Sequence, residues 1–271
     1  MYNAQTTAST NNAAKAGAIS IGNAGYKVAS TPMISVTGAQ QNELLRALSR
    51  ADLERLFEHL ELVALPAGKH LFDFGNKIDY TYFPTNAIVS LLYVMEDGAT
   101  TEIAVVGREG VVGVALFAAE RATCSAIVQS AGYGYRLKSE FLREVFNEGG
   151  ALAQLLMRYS SALFAQMAQN VVSGRHCSIE QKLCRWLLDR LDRSLSNELK
   201  VTQDTMANML GVRRESITVT ARALQDEGLI QYRRGTVVVL DRDGLERHAG
   251  NCYKAAKLGF EQLQAFSATQ Y

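Results

Sequence analysis

Neither sign of charge dominates this chain of 271 residues: 28 Lys and Arg face 27 Asp and Glu, for a formal net charge of +1. That balance excludes a general polyanion-binding surface, so any nucleic-acid contact must be local. No apolar run reaches the roughly 18–20 residues that span a bilayer, and no membrane segment is expected. Cys124, Cys177, Cys184 and Cys252 are scattered, with no CxxC pair. An iron–sulfur or structural zinc site usually shows closer spacing. His176-Cys177 and His248-x-x-x-Cys252 have the residue types to share a metal, but ordinary thiols and helix-surface histidines are the expectation. Free thiols are normal in a reducing cytosol, which suggests a cytoplasmic protein. Catalytic signatures are lacking too. Gly107-x-x-Gly110-x-x-Gly113 is not followed by Gly-Lys-Ser/Thr, and its glycines read as strand turns. His59 and His70 belong to no nucleophile motif. No catalytic residue, metal or cofactor is therefore expected, and the chain is not read as an enzyme.

What is present divides along the chain. Residues 1–38 are rich in Ala, Ser, Thr, Asn and Gly, lack a secretory apolar core and read as a disordered tail. Residues 40–61 read as an amphipathic helix burying Leu44, Leu45, Leu48, Leu53, Leu56, Phe57 and Leu60. From Val63 to Leu137 short alternating or apolar stretches are separated by turn residues such as Pro66-Ala67-Gly68 and Glu96-Asp97-Gly98. Such spacing predicts a small barrel or jelly roll within an effector domain of residues 39–138. Residues 139–173 read as one long helix, with only Gly149-Gly150 to interrupt it. Its apolar positions exceed what one small barrel needs, so a dimer seam is expected. Ser178 and Gln181 form a capping-box pattern that starts the next helix. The fold class is thus α+β: an N-terminal β-roll, a long dimerisation helix, and a C-terminal domain over residues 174–250. Residues 251–271 form a final helix or tail.

Residues 199–240 carry the strongest signal. Thr202 is a good N-cap, and Met206, Met209 and Leu210 follow on one helical face. Gly211 suits a left-handed helix end, and Val212 is the apolar residue a tight turn buries. A second helix from about Arg213 to Leu224 has Ile217, Ala221 and Leu224 as its inner stripe. Leu229–Tyr232 and Thr236–Leu240 then alternate like strands around Arg233-Arg234-Gly235. Two helices, a glycine turn and a hairpin make a winged helix-turn-helix for the DNA major groove. A recognition helix reads bases near its N-terminus. Arg214 and Glu215 are the base-reading candidates, flanked by Arg213 and Thr218, since arginine pairs with guanine and carboxylate with the cytosine amino group. Ser216, Thr220 and Arg222 are candidates for phosphate contacts, as are Arg233 and Arg234 at the wing tip. Segment 201–242 holds six arginines against five acids, so the order of elements carries this reading rather than bulk charge.

This order of roll, long helix and winged helix-turn-helix resembles the Crp/Fnr family of bacterial transcription regulators. The resemblance covers about residues 40–250. It is most specific in Gly211-Val212-Arg213-Arg214-Glu215-Ser216-Ile217, in Gly228-Leu229-Ile230-x-Tyr232-x-x-Gly235, and from Tyr82-Phe83-Pro84 through Val106-Gly107-Arg108-Glu109-Gly110-Val111-Val112-Gly113. It implies a homodimer on a near-palindromic double-stranded DNA operator, meeting RNA polymerase to activate or repress. Two positions depart from the family pattern. Many members carry a further arginine four residues after the recognition glutamate, where this chain has Val219. Cyclic-nucleotide-binding members hold the ribose with a glutamate and the phosphate with an Arg-Ser pair; aligned without gaps up to Gly132, this chain has Val114 and Cys124-Ser125 there, whereas a shifted register recovers Arg121. Cyclic AMP is therefore not the expected ligand. Glu109, Arg121, Thr123 and Ser125 are the polar candidates for some other small-molecule effector. The clustered N-terminal cysteines of the iron–sulfur branch and a haem ligand set are both missing from the expected places.

Overall fold

The computed structural model describes residues 35–96, 99–114, 121–194, 196–254 and 257. The expected N-terminal tail lies outside them up to residue 34, as does the C-terminal segment beyond residue 257. The tail expectation is corrected at its end, where Ser35 caps a short helix α1 (Val36–Ala39), and the helix expected over 40–61 is two short ones, α2 (Glu43–Arg46) and α3 (Arg50–Phe57). Two caps divide it. The Asn42 side chain accepts from the Leu44 and Leu45 amides, and the Ser49 hydroxyl from the Asp52 amide. Such side chains offer the backbone an alternative to continuing the previous turn. Asn42 is fixed further because its Nδ2 donates to the Pro84 and Gly110 carbonyls, at 2.9 and 2.8 Å.

The strands that follow are β1 (Glu61–Leu65), β2 (His70–Phe72), β3 (Tyr80–Pro84), β4 (Ile88–Val94), β5 (Thr100–Val106), β6 (Ser125–Ser130) and β7 (Gly132–Lys138). They make two antiparallel sheets, ordered β1-β7-β3 and β2-β6-β4-β5. Leu65, Tyr82, Val89, Leu91, Val106, Val112, Ala126 and Val128 belong to one buried cluster of the roll. Such a core excludes the exposed alternation of a lone sheet and fits the jelly-roll expectation. A second cluster joins Leu45, Leu53 and Leu56 to Phe83, Tyr135 and Leu137, and to the helices after the roll.

Those helices are two, not one: α4 (Ser139–Asn147) and α5 (Gly150–His176). Gly149 and Gly150 have φ of +82° and +84°, which only glycine adopts without strain. Along α5, Leu152, Leu156 and Tyr159 face the roll cluster, whereas Met157, Phe164, Val171 and Val172 are exposed. No helix among the described residues is long and apolar enough to cross a membrane.

Beyond α5 come α6 (Ile179–Leu191), β8 (Glu198–Lys200), α7 (Gln203–Leu210), α8 (Arg214–Asp226), β9 (Ile230–Arg233), β10 (Thr236–Val239) and α9 (Arg242–Ala249). The Ser178–Gln181 capping box is formed in both directions. β8 was not legible as a strand, and it makes the wing a three-stranded sheet ordered β8-β10-β9. This head is built on Leu183, Leu187, Met206, Ile217, Leu224, Ile230, Val237 and Leu245. Leu92 of β4 and Ile127 of β6 lie in the same cluster, so the head's core continues into the roll.

The thiol expectation is corrected at two positions. Cys177 and Cys252 are joined by a disulfide, with their Cα atoms 6.6 Å apart. Folding brings them together across 75 residues of sequence, a juxtaposition that spacing rules cannot reveal. They are thus neither free thiols nor metal ligands, and His248 is held instead between Glu180 and Glu227, at 2.7 and 3.1 Å. Cys124 and Cys184 remain free and buried, and burial pushes their thiols up to about 11 and about 12.

Candidate nucleic-acid interface

The recognition geometry is assembled by local caps. Thr202 accepts from the Thr205 amide to start α7, and Gly211 ends it in the left-handed region at φ +63°. Arg213 is the N-cap of α8 and makes no side-chain capping bond. Ile217, Ala221 and Leu224 are buried on the inner face of α8, as their spacing predicted. On the outer face Arg214, Glu215, Thr218, Val219 and Arg222 are exposed, while Ser216 and Thr220 are half-buried at the flanks. Val219 is 70% exposed, so an apolar side chain sits among the polar ones.

Two of these side chains have partners on α7. Arg214 Nε lies 3.3 Å from Asp204 Oδ1, and the Thr218 hydroxyl donates to Gln203 Oε1 at 2.7 Å. Gln203 and Asp204 were not singled out in the sequence, although both sit in the first turn after the Thr202 cap. They hold the Arg214 and Thr218 side chains on the exposed face of α8. The Arg214–Asp204 pair is more than half exposed on both sides, so its intrinsic worth is small, about 0–1 kcal/mol.

The wing tip is a two-residue hairpin loop, Arg234-Gly235, closed by the Arg233–Thr236 pair. Arg233 thus ends the strand β9 rather than entering the loop. Arg234 has φ +46° and Gly235 +77°, the primed-turn geometry that two-residue hairpins favour. Arg234 is the one non-glycine residue with positive φ among the described residues. A strained position that glycine would fill more easily instead holds a cation at the tip, a pattern associated with functional sites. Arg233 and Arg234 are both exposed.

The head is locked to the roll by a buried ionic junction. Arg190, 1% exposed, stacks on the Trp186 ring at 3.7 Å, donates to Gln129 and pairs with Glu102 of β5. The Ser90 hydroxyl also donates to Glu102, at 2.5 Å. Arg193 Nε donates to Glu109 Oε1 at 2.7 Å, and that oxygen also accepts from the Gly107 amide. Glu109 and Arg193 are nearly sealed from water, with side chains 3% and 4% exposed. The Gly107 and Gly110 turn gains a second purpose here. A Cβ at Gly107 would press on Arg193, and one at Gly110 would fall on the Tyr159 ring of α5.

The four effector candidates are held by different neighbours. Glu109 belongs to the Arg193 pair, and Arg121 Nη1 donates to the Gly75 carbonyl at 2.8 Å. The Ser125 hydroxyl accepts from the Phe74 amide at 3.1 Å, and Thr123 is exposed. Val114 packs against the cluster under the helices. Glu109 Oε1 is taken up by Arg193 and the Gly107 amide, while its buried Oε2 has no hydrogen-bond partner. Among the described residues no group of three or more His, Cys, Asp or Glu could hold a metal ion.

Comparison with known proteins places these two halves separately. Residues 62–148 match the cyclic nucleotide-binding domain and residues 181–248 the Crp-like helix-turn-helix domain. No curated protein matches the sequence. Among solved structures, one is titled a putative transcriptional regulator of the Crp/Fnr family from Eubacterium rectale. It is 18% identical, with a TM-score of 0.62 over 78% of this chain and 99% of the other. FixK2 from Bradyrhizobium japonicum is 13% identical, with a TM-score of 0.62 over 70% and 98%. A CRP/FNR-family transcriptional regulator from Thermus thermophilus is 25% identical, with a TM-score of 0.55 over 70% and 98%.

Proposed function

From the premise that this chain belongs to the Crp/Fnr family of transcriptional regulators, we propose that it reads DNA as a cytoplasmic homodimer on a near-palindromic operator. The observation that carries this is the shared exposure of the α8 N-terminal face and the wing tip. Arg213, Arg214, Glu215 and Thr218 lie on one, Arg233 and Arg234 on the other. Arg214 and Glu215 read bases, while Ser216, Thr220, Arg222 and the wing arginines hold phosphate. Val219, lacking a donor, suits a thymine methyl and gives an operator unlike those read by a second arginine. Regulation, through contact with RNA polymerase, is the output rather than catalysis.

The partner surface is the outer face of α5. Met157, Phe164 and Val171 recur every seven residues and are 62%, 73% and 74% exposed. A stripe with that period is what two helices bury against each other. Selection of bound DNA from a random-sequence pool tests both halves of the proposal. The wild-type chain should recover an inverted repeat with half-sites about one helical turn apart. Phe164→Asp, which puts a charge into the seam, should elute as a monomer and recover single half-sites at best. No enrichment by the wild-type chain without ligand or with a panel of nucleotides would reject DNA reading. An inverted repeat recovered equally by the variant would reject the seam.

The effector reading follows from the roll. Val114 cannot bond a ribose hydroxyl, and Glu109 already serves as the counter-charge of Arg193 through Oε1. A buried phosphate or hydroxyl without partners is costly. A small-molecule effector of this chain is therefore held by other groups, and it is not cyclic AMP. Isothermal titration with cyclic AMP should give no micromolar binding isotherm; a micromolar one would refute this.

A further inference from the structure

We infer that Cys177 and Cys252 form a reversible thiol–disulfide site that clamps the DNA-reading head to the end of the dimer helix, with low-molecular-weight thiols and disulfides as its reactants. The clamp's link to operator affinity and its reducing compartment rest on the function proposed above; the exchange chemistry does not. Its position is the first argument. α5 ends at His176 and α6 begins at Ile179, so only Cys177 and Ser178 join the dimer helix to the head. Both have extended backbones, at φ −91°, ψ 144° and φ −64°, ψ 164°, and each closes or opens a helix as its cap. A joint of two extended residues is where the head can turn on the helix once its buried junction with the roll opens, since few dihedrals need change.

Cys252 comes from the far end of the head, just past α9. The next residue, Tyr253, is buried, with its hydroxyl donating to Asp192 at 2.9 Å. Cys252 therefore moves with α6 and α9, and the bond pins the joint residue to the body it would otherwise rotate against. The covalent loop from Cys177 to Cys252 encloses α6, α7, α8, the wing and α9. The whole head thus lies within one ring of chain.

Accessibility is the second argument. Cys177 and Cys252 are both partly exposed, whereas Cys124 and Cys184 are buried. A disulfide in a protein that works in a reducing compartment is usually transient or sensing rather than structural. The exchange balances with glutathione disulfide as oxidant. One cysteine thiolate attacks it, forming a mixed disulfide and releasing one glutathione thiolate. The second cysteine thiolate then displaces the other, so the pair loses two electrons and two protons, and two glutathione thiols are formed. Excess thiol reverses both steps.

With the bond closed the two heads of a dimer keep their separation, and preorganised heads bind an operator more tightly. The test equilibrates the full-length chain in glutathione buffers from reducing to oxidising. Differential alkylation and mass spectrometry read the Cys177–Cys252 pair, while operator affinity is measured in parallel. The pair should convert between dithiol and disulfide, with wild-type affinity about tenfold higher when oxidised, an ordinary size for coupling between sites. Cys177→Ser and Cys252→Ser should match the reduced protein in every buffer. A pair that stays dithiol in oxidising buffer overturns the site, and equal affinity in both states overturns the clamp. If no DNA binds in either state, the operator reading fails and trypsin judges the clamp. Cleavage after the exposed Arg175 should then be faster in the reduced protein, and equal rates would overturn the clamp.

Discussion

Arg193→Ala is expected to cost about 3–5 kcal/mol of unfolding free energy, as removal of one partner of a buried ion pair does. The cost comes from what is left behind. Glu109 would keep its Gly107 amide but lose its counter-charge at a side chain only 3% exposed. Hydration cannot replace the guanidinium without opening the contact between head and roll. The Arg193 Nη1 bond to the Asp189 carbonyl, 2.7 Å long, would go as well. Urea unfolding followed by fluorescence gives the value conveniently. The chain's single tryptophan, Trp186, lies at this junction under Arg190. A paired replacement, Arg193→Met with Glu109→Leu, should recover most of the loss, because an apolar pair of similar volume removes both charges together. A loss below about 1 kcal/mol in the single variant would mean that water reaches Glu109 and the junction is not sealed.

The second large effect separates reading from gripping. Arg214→Ala should cost about 1–3 kcal/mol of binding at one base position and relax the preference there. Its loss should barely change stability, because its pair with Asp204 is exposed. Arg234→Gly should weaken all sequences about equally and make the salt dependence shallower by about one charge. Glycine is the informative replacement because it relieves the positive φ of Arg234, so the wing should keep or gain stability. A weakened Arg234→Gly protein therefore cannot be explained by a collapsed hairpin. Titration of selected operators and single-mismatch variants, each at several salt concentrations, distinguishes the two roles. Sequence-specific losses from Arg234→Gly, or uniform ones from Arg214→Ala, would reverse the assignment.

The head was legible in the sequence because its signals are short-range. Thr202 and Gly211 mark helix ends within three or four residues of the groups they cap. Ile217, Ala221 and Leu224 repeat on one turn spacing and are buried accordingly. The roll was legible as a class, because turn residues punctuate its strands, but its first helices were not. Their breaks depend on Asn42, whose Nδ2 partners lie 42 and 68 residues away. β8 was missed for a similar reason: three residues carry little alternation, and their partner strand begins at Thr236.

Among candidate site residues, the α8 and wing positions lie on exposed surface except Ser216 and Thr220, which are half-buried at the flanks of α8. The pairing of Glu109 was not legible because its partner is 84 residues distant, and a carboxylate in a glycine turn gives no local sign of Arg193. Helix α5 posed a different difficulty. α5 is apolar on two faces, so periodicity revealed an excess without dividing it. The structure gives Leu152, Leu156 and Tyr159 to the roll and leaves Met157, Phe164 and Val171 outside. Cys177 and Cys252 lay beyond local inference altogether, since each alone is an ordinary residue near a helix end.

Leu92 and Ile127 complete a core that otherwise belongs to the winged helix-turn-helix, and this bears on transplantation. Cut free of its roll, the head would present an apolar socket where those two side chains sat and an uncovered Arg190 beside it. Grafted onto another sensor, it would inherit that socket unless the new β-sheet supplied both a hydrophobic plug and an acidic side chain in the place of Glu102. This head is therefore not an interchangeable cassette, and chimaeras should be cut so that β4 to β6 travel with it.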